Sequence, residues 1–204
     1  MKNDWKEVSI SEWKQLKEIA ESDMEPLEKN VETIAVLEGV PAKQVWAMPM
    51  YKIQQITNTM GWMENFNFDK KANLTNAKIK IDGQKYVITP DLNKLSVAAY
   101  ADFQFYMKNR DENMGLILTC FIVPIGKDYG DGYDVQELAQ LFENSLSIVF
   151  WNEVFFSLIK NSLYSIKASE IYLEWTARKE KDKEIQEKLK EKLKEIRDSY
   201  SCLW

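Results

Sequence analysis

Glycine and proline are sparse in this chain, and their positions limit what it can fold into. After Gly132 neither residue occurs, so nothing downstream breaks a helix. Upstream, Gly39, Pro41 and Pro49 cut the first third into short pieces, Asp82-Gly83 stands between two alternating segments, and Gly126, Gly130 and Gly132 form one loop. Between these breaks apolar residues recur every three or four positions, the period of a helix. Only around Asp82-Gly83 does the period fall to two. The pattern predicts a mainly α chain with one β-hairpin and a long C-terminal helical arm.

Local signals place the elements. Ser9, or Ser11, can cap a first helix, and Glu12 stands three after Ser9 as in a capping box. Ile10, Trp13, Leu16, Ile19 and Ala20 share its apolar face. A second helix runs from about 25 to 37 and stops at Gly39, Pro41 opens a short third, and Pro49 starts a fourth. Residues 78–88 alternate around Asp82-Gly83, the signature of a type I′ hairpin. Ser96 can cap a helix carrying Val97, Tyr100, Phe103 and Met107, and Asp134 can cap another. The nearly all-apolar run 114–123 is expected to be helix throughout, and a last body helix begins near Ser147.

This reading divides the chain into a helical unit at 1–64, a linker and hairpin at 65–92, a second helical unit at 93–165 and an arm at 166–204. The two helical units run in parallel: Ser9–Leu16 aligns with Ser96–Phe103, and each unit continues with an apolar helix near a proline, a short helix and an aromatic-rich helix. An internal duplication would explain the match, and so would the loose alignment of any two helical stretches.

The arm carries a narrow stripe. Ile185, Leu189, Leu193 and Ile196 recur at steps of 4, 4 and 3 within an otherwise charged segment, enough for one partner helix and too little for burial in a globule. Tyr200, Leu203 and Trp204 follow, and such side chains are a liability unless they insert somewhere. Either a solvated helix lying on its own body or an arm reaching a neighbouring subunit fits this pattern, and the arm is favoured. Trp13, Trp46 and Trp62 are expected in the core, and Trp5 is expected at an interface with the arm residues.

Chemistry is poorly served. Histidine is absent, which removes the commonest general base and metal ligand; carboxylate, lysine or tyrosine chemistry remains open, but the chain is not expected to be an enzyme or to need a cofactor. Asp128, Asp131 and Asp134 lack the spacing of a calcium loop and read as a turn plus a helix cap. A net charge of -5 argues against broad nucleic-acid binding. Two cysteines, one in an apolar run, suit a reducing compartment. The first eight residues hold no apolar stretch of signal-peptide length, and the longest apolar run is too short for a bilayer. The expectation is a cytoplasmic product with no membrane partner.

Two stretches carry a family resemblance. Ile10–Leu16 with Val31–Met50, including Gly39-Val40-Pro41, resembles small helical proteins of tailed-bacteriophage structural modules, tail-assembly chaperones among them. Residues 80–92 through Gly130–Asp134 are similar to virion proteins of crAss-like phages of gut Bacteroidetes. The resemblance implies a structural subunit of the virion, a ring or connector component at the portal or tail, made in the host bacterial cytoplasm. It would contact further copies of itself in a high-order homo-oligomer, and neighbouring phage structural proteins. The alternative is a tail-assembly chaperone absent from the mature particle. The long arm departs from the compact chaperone pattern and favours the permanent subunit.

Overall fold

The computed structural model describes residues 1–66 and 74–162, and beyond them the helical, exposed positions Glu187, Lys188, Glu191 and Lys194. The chain divides into two compact units, Met1–Ser157 and Leu158–Trp204. The first is mainly helical, with one small antiparallel sheet.

Short-range chemistry builds the first four helices: α1 (Ile10–Glu21), α2 (Pro26–Glu38), α3 (Ala42–Trp46) and α4 (Met50–Thr59). Ser9 and Glu12 form the full capping box, Glu12 N–H donating to Ser9 Oγ at 3.2 Å and Ser9 N–H to Glu12 Oε2 at 2.9 Å. Gly39 ends α2 at φ +66°, a left-handed position that costs glycine little. Val31, Ile34, Ala35, Val45 and Ile53 then form one buried cluster across α2, α3 and α4.

The hairpin pairs β1 (Lys78–Ile81) with β2 (Gln84–Ile88), Lys80 lying opposite Lys85. Asp82 and Gly83 turn it at φ +46° and +83°, as a type I′ turn requires. A third strand corrects the sequence reading. Helix α6 (Met114–Phe121) stops two residues early, and Ile122–Pro124 extends as β3 along β2. The apolar run is continuous, but only its first part is helix. Pairing to a strand some thirty-five positions back captures the rest, and Pro124 is tolerated because β3 is an edge.

Helix α5 (Val97–Tyr106) and helix α7 (Val135–Ser145) both pack on α6. Helix α8 covers 148–162. Val8, Ile10, Ile88, Leu118, Phe121, Phe142 and Ile148 are fully buried. Phe142 meets Tyr86 edge-on at 5.5 Å, and Phe103 meets Phe121 at 5.2 Å. A short antiparallel bridge ties the start of α1 to the start of α8: Ile10 N–H donates to Leu146 O, and Ile148 N–H to Val8 O, each at 3.0 Å.

Candidate interaction surface

The surface feature that stands furthest from an ordinary folded exterior is the outer side of α5. Ser96 caps this helix by accepting from Ala99 N–H. Its inner side buries Ala99 and Phe103. The other side is also apolar: Val97 is 88% exposed, Phe105 64%, and Tyr100 is exposed between them. Gln104, donating to Tyr100 Oη at 3.0 Å, is the polar side chain among them. A helix this rich in apolar residues normally buries more than one side, and α5 buries only one.

A second apolar patch sits on α3 and α4. Val45 points into the α2–α4 cluster, while Trp46, 50% exposed, stands out with Met50 and Tyr51. This overturns the expectation that Trp46 fills core: one step along a helix turns a side chain by about 100°, and Val45 holds the inward position. Trp13 and Trp62 are half-buried. Trp5, expected at an interface, packs edge-on against Trp62 at 5.2 Å and Phe66 at 5.3 Å. The indole N–H groups of Trp5 and Trp62 are buried with no acceptor among the described residues. Ile185, Leu189, Leu193, Ile196, Tyr200, Leu203 and Trp204 lie outside the described residues.

A cleft of about 440 Å³ opens between the start of α5, the end of α6 and the glycine-rich loop, with Lys94, Ser96, Cys120, Val123, Lys127 and Tyr129 in its lining. Burial pushes the Cys120 thiol up to about 12, so it stays protonated and unreactive at neutral pH. Tyr129 is likewise held protonated, by burial and by donating to Asp102 Oδ2 at 2.8 Å. Neither group is an activated nucleophile or base. The bond fastens the loop to α5, which is a structural job. Asp134 caps α7, accepting from Gln136 and Glu137 N–H. Among the described residues no group of three acidic, histidine or cysteine side chains is placed to hold a metal, and no helix is long and apolar enough to cross a membrane.

No protein-family model, no curated protein and no solved structure matches this chain.

The sequence signal for the α5 surface was present but pointed elsewhere. Val97, Tyr100 and Phe103 read as parts of one capped helix, and only the packed structure reveals that Phe103 is buried while Val97 and Tyr100 stand out. The lysines of the hairpin were read simply as the polar half of an alternating pattern. Their pairing across the strands became visible only with the register.

Proposed function

We propose that this chain is a non-catalytic subunit of a protein assembly, specifically a structural component of a tailed-phage virion, a ring or connector at the portal or tail. The observation that carries the assembly reading is the bare apolar side of α5. Covering Val97 or Phe105 with a neighbour would return up to roughly 1.5–3 kcal/mol for each side chain, less for Phe105, whose ring already meets Tyr106 and lies under the Lys108 ammonium. The phage reading adds the resemblance of residues 10–16, 31–50 and 80–134 to phage structural modules.

Two measurements test it. The variant Val97→Ser with Phe105→Ser should associate more weakly than the native chain in sedimentation while its unfolding free energy stays within about 0.5 kcal/mol, as for other exposed positions. Mass spectrometry of washed virions should find the protein at a fixed copy number. Its presence in infected-cell lysate but not in washed particles would reject the structural role in favour of a transient assembly chaperone.

A further inference from the structure

Resting on the reading of this chain as an assembly subunit, we propose that the outer face of its three-stranded sheet receives the acidic start of α2 from a second copy, head to tail. The register places Lys78, Lys80, Lys85, Val87 and Val123 on one face: Lys78 lies opposite Val87, Lys80 opposite Lys85, and Val87 opposite Val123. The three lysines are exposed, the two valines half-exposed, and none of the lysines has an ion-pair partner among the described residues. Ile125, just past β3 and bonded to Lys85 O through its N–H, is exposed as well. Val123 also lines the cleft that carries Lys94 and Lys127. Asp82 lies in the turn between β1 and β2, and Asp128 lines the cleft.

Two features say that the face is used. Like charges placed directly opposite one another weaken a strand pair, so Lys80 and Lys85 cost the free chain stability. Protection of a sheet edge explains exposed lysines on many proteins, and it would serve for Lys78 and Lys80 on β1. It does not serve for Lys85, because β2 is the central strand and has no open edge. A carboxylate-bearing partner lying across β1 and β2 would turn that repulsion into attraction.

The chain itself offers such a partner. Where α2 begins, Asp23, Glu25 and Glu28 are exposed and have no ion pair among the described residues, and Met24 and Leu27 are exposed among them. Glu25 occupies the N-cap position and makes no capping bond. A helix start favours acidic residues through its dipole, which accounts for the carboxylates but not for the bare Met24 and Leu27. The match is twofold: an apolar pair with an acidic rim faces an apolar strip with a basic rim. Bare phosphate chemistry would leave the valines and Ile125 without a role. Because the two surfaces differ, the contact is heterologous, and a closed ring results if the rotation between copies closes.

Charge reversal on the full chain tests this, read by sedimentation velocity. Lys80→Glu with Lys85→Glu gives a copy acidic on both surfaces; Glu25→Lys with Glu28→Lys gives one with basic side chains on both. Each alone should associate about tenfold more weakly or worse, as for opposed interface charges turned repulsive. An equimolar mixture should recover association, since every contact in alternating copies is again complementary, and the recovery itself shows that both variants fold. Lys85→Glu alone puts a carboxylate opposite Lys80, so its melting temperature should rise while association falls; a purely structural role would move only the first. Reversal variants that associate like the native chain, or a mixture that recovers nothing, overturn the inference and leave the assembly reading standing. A native chain that stays monomeric at every concentration overturns the inference and the self-association it rests on. If the native chain retains a short DNA duplex, and the Lys80→Glu, Lys85→Glu variant releases it with association unchanged, the face is a phosphate site and the inference falls.

Discussion

Helices α5 and α7 flank the same helix, α6, and meet solvent in opposite ways. Helix α7 buries Leu138, Ala139 and Phe142 and turns Gln136, Glu137, Gln140 and Asn144 outward. Helix α5 buries Ala99 and Phe103 and turns Val97, Tyr100 and Phe105 outward, with Gln104 bonded to Tyr100 beside them. Both are capped, both pack on α6, and both are of similar length, so folding needs no more than one apolar face from either. The outer residues of α5 are surplus to the fold. Surplus apolar surface on a folded body is the ordinary mark of an interaction site, which is why the functional reading rests on α5 and not on the cleft beside it.

The sharpest way to break this comparison is to remove one phenylalanine from each helix. Phe142 is fully buried against Tyr86, and Phe142→Ala should cost about 3–5 kcal/mol in urea unfolding, through lost transfer energy and a cavity. Phe105→Ala should change stability by no more than about 0.5 kcal/mol. Comparable losses would mean that the outer side of α5 belongs to the fold, and the distinction between the helices would collapse.

A smaller effect tests how α7 is seated. Gly115 opens α6 where it crosses α7 closely: a methyl group there would lie 2.6 Å from both Ala139 O and Glu143 Cγ. Gly115 N–H also donates to Glu143 Oε1 at 3.0 Å, the same oxygen that accepts from Lys14 Nζ at 2.6 Å. Part of that obstruction is side chain and can move, but Ala139 O is backbone and cannot move without shifting α7. Gly115→Ala should therefore destabilise by about 1–3 kcal/mol, as overpacking does, and thermal unfolding would show it. An unchanged melting temperature would mean that α6 and α7 separate easily, contrary to the close seating that distinguishes α7 from α5.

The capping box at Ser9, the left-handed stop at Gly39, the Asp82-Gly83 turn and the caps at Ser96 and Asp134 were all legible in the sequence, because each is a bond between residues a few positions apart. What escaped depends on distant parts of the chain. Nothing local marks Ile122–Pro124 as a strand; its extended form comes from pairing with β2. Trp46 sits in a helix of five residues, too short for periodicity to fix which side faces the core. The alternation of Lys78 and Lys80 was readable, but their standing beside Lys85 and Val123 needed the register of three strands. The candidate surfaces are thus the least legible part of the molecule: a surface is defined by what fails to cover it, and neighbours are set by the whole fold.

The smallest expected effect concerns the link from α1 to the loop that joins α5 and α6. Lys17 Nζ lies 2.6 Å from Asp111 Oδ2, and Arg110 Nε 3.1 Å from Asp111 Oδ1. Arg110 in turn covers the stacked rings of Trp151 and Phe155, at 5.9 and 5.7 Å. The bond from Lys17, with that from Arg110, holds the Asp111 carboxyl below its ordinary range against the opposing effect of burial. Depression below the unfolded value, near 4, fixes the sign. The contribution is fully present above that pH, and it fades as pH falls through the lower folded value, where the native carboxylate takes up its proton. The pair is partly exposed, so its contribution is modest and screened by salt. Asp111→Asn should lower stability slightly at pH 7, and the native and variant curves should converge below about pH 4. Urea unfolding of both proteins across the acid range checks this. Curves that stay parallel through acid would show that the carboxylate charge contributes nothing. The link would then rest on the Arg110 stack and on the bond from Lys14 Nζ to Glu112 O, and α5 would be held to the rest of the body by apolar packing and the Tyr129–Asp102 bond, with no contribution from this carboxylate.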